Sequence, residues 1–483
     1  MVQTTGQDPS MGGAAAAIIE AEANRPPSQK LSPTEWAARN LFNSVANSLI
    51  TAVIAIVGAF LVALTLRWVF TADYEIVRTN LRNFMIGQFP RDELWRPWAS
   101  GFVLVAGATF ASGALARATY TANLEKDLPA EKPSWPELIR RFWAIIAVLI
   151  FFVSFARTLL PYVGVAVVFV LAVIGREVGW RAPAAVRSRA GFITAALAIV
   201  SMMILGGASG LGGFTLGLVA AVAAATELGR RELPPGRAGA LRRWGIPLAA
   251  LVVVWVAVWL IPFDGFGWDD WGGLHVTLFT TVLGITLGLP FGILLALGRR
   301  SNLPVLKSIS ILFIEFVRGV PLISLLLFSN LMLPLFLPIN FDRPADLTLA
   351  IVVITGFSAA YIAEIVRGGL QAVPQGQTEA AQAAGMSAGA IQRLIVLPQA
   401  LRAVIPAMVG QFIALFKDTS LLAIIGILEF LRVSDIANAQ PDFVGKGLAP
   451  VTYLFVAIGY WAFAYTMSKE SRRLETRLGV GVR

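Results

Sequence analysis

Few side chains in this sequence are suited to chemistry, and they stand in two clusters. Glu315 and Arg318 are three apart, so on a helix they can face each other. Lys417, Asp418, Thr419 and Ser420 set a cation, an acid and two hydroxyls in succession, with Gln411 one to two turns earlier. Such groups suit a ligand that carries both charges. They suit equally an internal ion pair, or a gate held by hydrogen bonds. Glu364 and Arg367 repeat the three-residue spacing and read as structural. The rest of the catalytic repertoire is thin. There is no cysteine and one histidine, His275. Disulfides, thiolate metal sites, cysteine nucleophiles and a multi-histidine metal site within the chain are excluded. His275 has no convincing nucleophile to serve and reads as a water-facing interfacial residue. A Walker A phosphate loop needs Gly before its Lys and Ser or Thr after it. Only Lys446 follows a glycine here, and Gly447 comes next.

The elements that must hold these residues are membrane spans. The chain is 57% hydrophobic and 14% charged, where a soluble domain carries about 25% charged residues. The net charge of +10 then reads as arginine and lysine collected in cytoplasmic loops, with no nucleic-acid partner. Residues 1–47 read as a cytoplasmic tail; its opening lacks the basic start and apolar core of a secretory signal. Within it, Ser32-Pro33-Thr34-Glu35 is a helix start, with Ser as cap, Pro at the first position and Glu reaching back. Trp36, Leu41, Phe42, Val45 and Leu49 then form one interfacial stripe.

A crossing helix needs roughly 20 apolar residues. Residues 48–262 read as an accessory bundle of about seven such spans. Ser48–Leu66 and Trp98–Leu115 are single crossings. The run Phe142–Gly175 is too long for one crossing and is expected to fold at Pro161 into two. Gly191–Ala225 is expected to fold at the glycines of 206–213. Trp244–Ile261 closes the set. With both long runs folded, the arginines that follow each one fall inside. Residues 263–483 carry about five more spans: Leu274–Leu297, Leu306–Phe328, Leu347–Val366, Leu401–Leu422 and Val451–Tyr465. The expected fold is an all-α polytopic membrane protein of about 12 transmembrane helices, multi-pass, with both termini cytoplasmic.

One segment, 371–398, interrupts the oil. It contains GQTEAAQAAGMSAGAIQRLIVLP between Pro374 and Pro398. Glu379–Ala384 is strong helix-forming sequence, Gly385 suits a left-handed cap, and Ser387 suits the cap of a second short helix. Ile391, Leu394 and Ile395 would form its apolar ridge. A helix–turn–helix is expected, with small residues on its surface. From periodicity alone this is an interfacial loop.

The order Glu379-Ala380-Ala381, three residues, Gly385, nine residues, Ile395 to Pro398 resembles the EAA motif of permease subunits in binding-protein-dependent ABC importers. EFVRGVPL, YIAEIVRGGLQAVPQGQTEAAQAAG, RLIVLPQALRAVIP and LFKDTSLLAIIG resemble the polar, general L-amino-acid branch of that family. The resemblance covers about Trp268 to Leu474 and leaves the accessory part unmatched. It implies a type I importer with a five-helix permease core behind an extra N-terminal bundle, in a bacterial cytoplasmic (inner) membrane. It implies as partners a homologous permease, two ATPase subunits, and a periplasmic or extracellular binding protein for an L-amino acid. No cofactor is implied in this chain; ATP and Mg belong to the ATPase. By the same resemblance the segment is a coupling helix, with Glu379, Ala380, Ala381 and Gly385 docking the ATPase and Arg393 at the rim. An amino acid is a zwitterion, so Glu315, Arg318, Gln411, Lys417, Asp418, Thr419 and Ser420 become a candidate substrate path. The accessory bundle is expected to be a lateral scaffold.

The alternative is an ion-coupled secondary amino-acid transporter. Such carriers usually bury acids mid-span, and the candidates here are few: Glu315, Glu364, Asp418 and Glu429. A self-sufficient carrier also needs no exposed helical socket.

Overall fold

The computed structural model describes residues 32–125, 127, 129, 131–205, 271–336 and 345–478. It divides into two units, Met1–Ala72 and Asp73–Arg483.

In the first unit, Ser32 and Glu35 form the expected reciprocal cap of α1 (Pro33–Asn40), the Ser32 hydroxyl accepting from the Glu35 amide at 3.3 Å. The interfacial stripe is then interrupted. Ser44 caps a fresh helix, α2 (Val45–Thr71), by accepting from the Asn47 amide. So Trp36 and Val45 lie on separate helices. Helix α2 has 27 residues, none of them buried, and is roughly 40 Å long at 1.5 Å per residue.

The second unit begins with α3 (Glu75–Ile86), where the sequence reads only as polar. Its apolar side is Ile76, Val77 and Phe84, all fully buried. Next come α4 (Trp95–Leu124), α5 (Trp135–Val153), α6 (Leu160–Arg181) and α7 (Ala190–Ile204). Helices α6 and α7 each pack on α4. The α4–α6 approach is set by glycine: a Cβ on Gly179 would overlap the carbonyl oxygen of Phe110, and one on Gly113 that of Arg176. Close backbone approach of this kind is how helices associate in lipid.

The run Phe142–Gly175, expected to fold at Pro161, breaks just before it, between Val153 and Leu160, and the two helices part company. Helix α6 lies on α4, whereas α5 lies on α16 (Ala449–Leu478). Arg141 of α5 pairs with Glu470, and Trp143 meets Trp461 and Tyr465 edge to face at 6.1 and 5.7 Å.

Between these elements run α8 (Gly273–Arg299), α9 (Pro304–Gly319), α10 (Leu322–Leu327), α11 (Asp346–Ala372), α12 (Gln375–Ala383), α13 (Ala388–Ile391), α14 (Leu397–Asp418) and α15 (Arg432–Asn438). Helix α11 is the centre, packed on α8, α9 and α14. The second expected core span, Leu306–Phe328, is not straight. It breaks after Gly319, and the two limbs, Pro304–Gly319 and Leu322–Phe336, meet at 105°. Pro321 lacks an N–H and holds Val320 extended (φ −104°, ψ 132°). The second limb ends in a π turn, Phe328–Met332, and a 3₁₀ turn, Leu333–Phe336.

Helix α3 docks on this core. Phe84 lies 5.0 Å from Phe455 and 6.1 Å from Phe430, with Phe152 of α5 at 4.9 Å from Phe455. Asn80 and Gln440 exchange amide bonds at 3.0 and 2.8 Å.

The described residues are all-helical, apart from one isolated bridge between Gly273 and Glu429. Seven of their helices are long and apolar enough to cross a bilayer, or eight if the bent pair is one span. That does not establish about 12. Helix α7 has 15 residues, short for a crossing, and α5 carries Glu137, Arg140 and Arg141 in its first turns. The expected turn at 206–213 and the span Trp244–Ile261 lie outside the described residues.

Candidate coupling and translocation site

The EAA segment folds from its caps. Helix α12 ends in a left-handed turn at Gly385, φ +76°. The Gly385 amide donates to Gln382 at 2.9 Å and the Met386 amide to Ala381 at 3.1 Å, the paired bonds of a Schellman turn. Ser387 then caps α13, accepting from the Ala390 amide.

The second helix does not stop at the bracketing Pro398. It runs through a π turn, Gln392–Val396, straight into α14. Pro398 has no N–H and its ring crowds the carbonyl four residues back. The turn widens to accommodate it, with Leu397 donating to Gln392, five residues back. In consequence Ile391 is buried and Ile395 partly so, while Leu394 is 63% exposed and off the ridge.

Among the EAA residues, Glu379, Ala380, Gly385 and Arg393 are exposed. Ala381 is 5% exposed and faces the chain itself, within a core of Ile391, Val396, Ala363, Val366 and Ala400. Gln377 and Gln399 tie α12 to the first turn of α14 at 2.5 Å.

Glu315 and Arg318 do not find each other. Glu315 meets Arg299 at 2.8 Å, and Arg318 meets Glu364 at 3.5 Å. Glu364 also meets Arg299 at 3.4 Å and Arg367, whose Nε donates at 2.7 Å. The pair that reads as merely structural is therefore the centre of the network. Arg318 also lies over the Tyr361 ring at 5.7 Å.

Lys417 and Ser420 open onto a groove of about 680 Å³ between α14 and α16, walled by Tyr453, Tyr460, Trp461 and Tyr465. The two hydroxyls are used locally: Ser420 donates to the Lys417 carbonyl at 2.8 Å and buried Thr419 to the Phe416 carbonyl at 2.6 Å. Asp418 and Gln411 are both half-buried. Seven residues apart, they share a helix face that is not the face of Lys417.

Glu429 is no mid-span acid. It sits in the loop before α15, fully buried. It accepts from the Leu431 and Arg432 amides at 2.8 and 2.6 Å and from the Tyr460 hydroxyl at 3.1 Å. Burial pushes its carboxyl up to about 7, against the opposing pull of those donors. Its signal in the sequence was position, three residues before Arg432 at a helix start. His275 is flanked by Trp271 and Phe279, with ring centroids at 4.9 and 6.4 Å, rather than standing open to water.

These residues stand among helices long and apolar enough to cross a membrane, and the chain is similar to known membrane proteins. Residues 288–472, which include every site residue above except His275, match the family described as binding-protein-dependent transport system inner membrane component. The chain is 44% identical over 243 residues to the inner membrane amino-acid ABC transporter permease protein YhdY of Escherichia coli (strain K12), covering 48% of this chain and 65% of that protein. It is 46% identical over 213 residues to the glutamate/glutamine/aspartate/asparagine transport system permease protein BztC of Rhodobacter capsulatus, 44% of this chain and 48% of that one. It is 36% identical over 208 residues to the probable glutamine ABC transporter permease protein GlnP of Bacillus subtilis (strain 168), 43% of this chain and 92% of that one. The chain thus spans less than two thirds of the first two relatives and nearly all of the third. It belongs to the family of binding-protein-dependent transport system inner membrane components.

Proposed function

We propose that this chain is one permease of an ATP-driven importer of L-amino acids. An external binding protein delivers the substrate, a homologous permease completes the path, and two separate ATPase subunits bind ATP and Mg. The observation that carries the reading is the coupling segment. Helix α12 is anchored from beneath by Ala381 and turns the small and polar residues Glu379, Ala380 and Gly385 outward. A surface without bulk lets a receiving cleft close tightly on it, so the two move as one body. The amino-acid cargo is supported by the relatives, which are named for it.

In this reading residues 1–47 are a tail, 48–262 an accessory bundle and 263–483 the permease core, to which α3 is an addition. The coupling segment and both termini face the cytoplasm. The substrate path includes Glu315, Arg318, Gln411 and Lys417–Ser420. Lys417 supplies a cation beside an aromatic-walled groove, and Arg318 stands one residue before the break of a discontinuous span, a place where transporters hold substrate. ATP binding draws the coupling segments together and opens the path outward; hydrolysis returns it inward.

The test is copurification. Wild type should bring down an ATPase and a second permease. Ala380→Arg, and Gly385→Arg at the left-handed turn, should lose the ATPase while keeping the permease. Amino-acid uptake by this chain in liposomes without any ATPase would overturn the proposal.

A further inference from the structure

We infer that Glu364 is the joint through which the coupling segment moves the broken span α9–α10; this rests on the importer reading above. Helix α11 leads into α12 through Val373 and Pro374 alone. Val373 is extended, φ −74° and ψ 125°, and proline fixes its own φ. So short a link transmits displacement instead of absorbing it. Glu364 lies two turns before the end of α11, roughly 12 Å away at 1.5 Å per residue.

Three guanidiniums converge on its carboxylate, each from a different helix. Arg299 is the last residue of α8, Arg318 is one residue before the end of α9, and Arg367 is on α11 itself. Arg318 and Arg299 sit at helix C-termini, where the helix dipole already favours a cation. Their attraction to Glu364 therefore adds to a position they hold anyway. Arg318 immediately precedes the 105° bend at Gly319–Pro321. Moving Glu364 thus moves the hinge of the broken span directly. A second tie, Arg300 to the Leu370 carbonyl at 3.2 Å, keeps the end of α8 travelling with α11. Arg367 in turn donates to Gln371 at 3.1 Å, on the last turn before the link.

The Glu364 side chain is 21% exposed and that of Arg318 34%, so solvent screens these ties in part, and their weight comes from three cations meeting at one carboxylate. A static lock of this composition would only stabilise the fold. A joint has a separate signature: without it the motor runs while the gate stands still.

The experiment uses the complete transporter in proteoliposomes, reading ATP hydrolysis and amino-acid uptake together. Wild type must first show ATP-driven uptake; its absence would sink the importer reading and leave the joint aside. With wild type active, Glu364→Gln should assemble and hydrolyse ATP, but its uptake per ATP should fall about tenfold, the scale of a lost charge-assisted bond. Glu364→Asp, which keeps the charge, should recover much of that ratio. Wild-type uptake per ATP in Glu364→Gln would overturn the inference. So would equal losses in Gln and Asp variants accompanied only by a lower melting temperature. If Glu364→Gln fails to assemble, Arg318→Gln, read at saturating amino acid so that weaker substrate binding does not enter, decides, because it leaves Glu364 paired to Arg299 and Arg367. Unchanged coupling in that variant would also overturn the inference.

Discussion

Glu429 shows how one buried acid sets a pH dependence. The folded protein keeps its proton up to about 7, whereas a free glutamate loses it near 4.3. Between those values the folded state binds more protons than the unfolded one, so stability falls as pH rises and levels off above about 7. Tyr460, Asp435 and the helix start at Arg432 face the carboxyl, and Asp435 raises it further. Glu429→Gln should remove this part of the slope. Melting temperatures of the detergent-solubilised protein across this window would then drop more steeply for wild type than for the variant. Residues whose job follows from their own type were legible in the sequence. Gly385 takes a left-handed φ and Ser387 caps a helix wherever they sit. Glu315 was not legible in the same way. Its partner Arg299 lies on a different helix, and no spacing within α9 reveals it.

Among the elements, the packing of α4 on α6 depends on absent side chains. Gly179→Leu should force the helices apart at the Phe110 carbonyl and cost about 1–3 kcal/mol or more, as overpacking does. Thermal unfolding would show it, and an unshifted melting temperature would mean that the two helices are not in register as described. The long spans were readable because twenty apolar residues have few other fates. Helix α3 was hidden in a stretch that is polar on average. Its signal was the apolar spacing of Ile76, Val77 and Phe84, which shows only when the stretch is read as a helix. The break at Gly319–Pro321 was not legible in the sequence, since Leu306–Phe328 looks like one crossing; its 105° angle goes with α11 receiving both limbs.

For the whole molecule, the proposed orientation has a clean probe because the chain contains no cysteine. Ala384→Cys, exposed beside the Schellman turn, should react with a membrane-impermeant maleimide in inverted vesicles and stay unlabelled in intact cells. Labelling from outside would reverse the topology. The accessory part is expected to be a lateral scaffold against lipid or the partner permease. Within this chain α5 meets α16 through Arg141 and Glu470, and Phe84 fills an aromatic cluster with Phe430 and Phe455. Hydropathy reports only that a helix enters lipid. Which neighbour it meets there is decided by side-chain shape across helices far apart in sequence.

The π turn at Gln392–Val396 makes α13 and α14 one continuous rod, with a crank handle at the end near Gly385. A handle joined to its axle without a slack loop cannot be pushed sideways without twisting the axle. On the proposed importer reading, a push on that handle would reach Lys417 and Asp418 along α14, past the proline at Pro406.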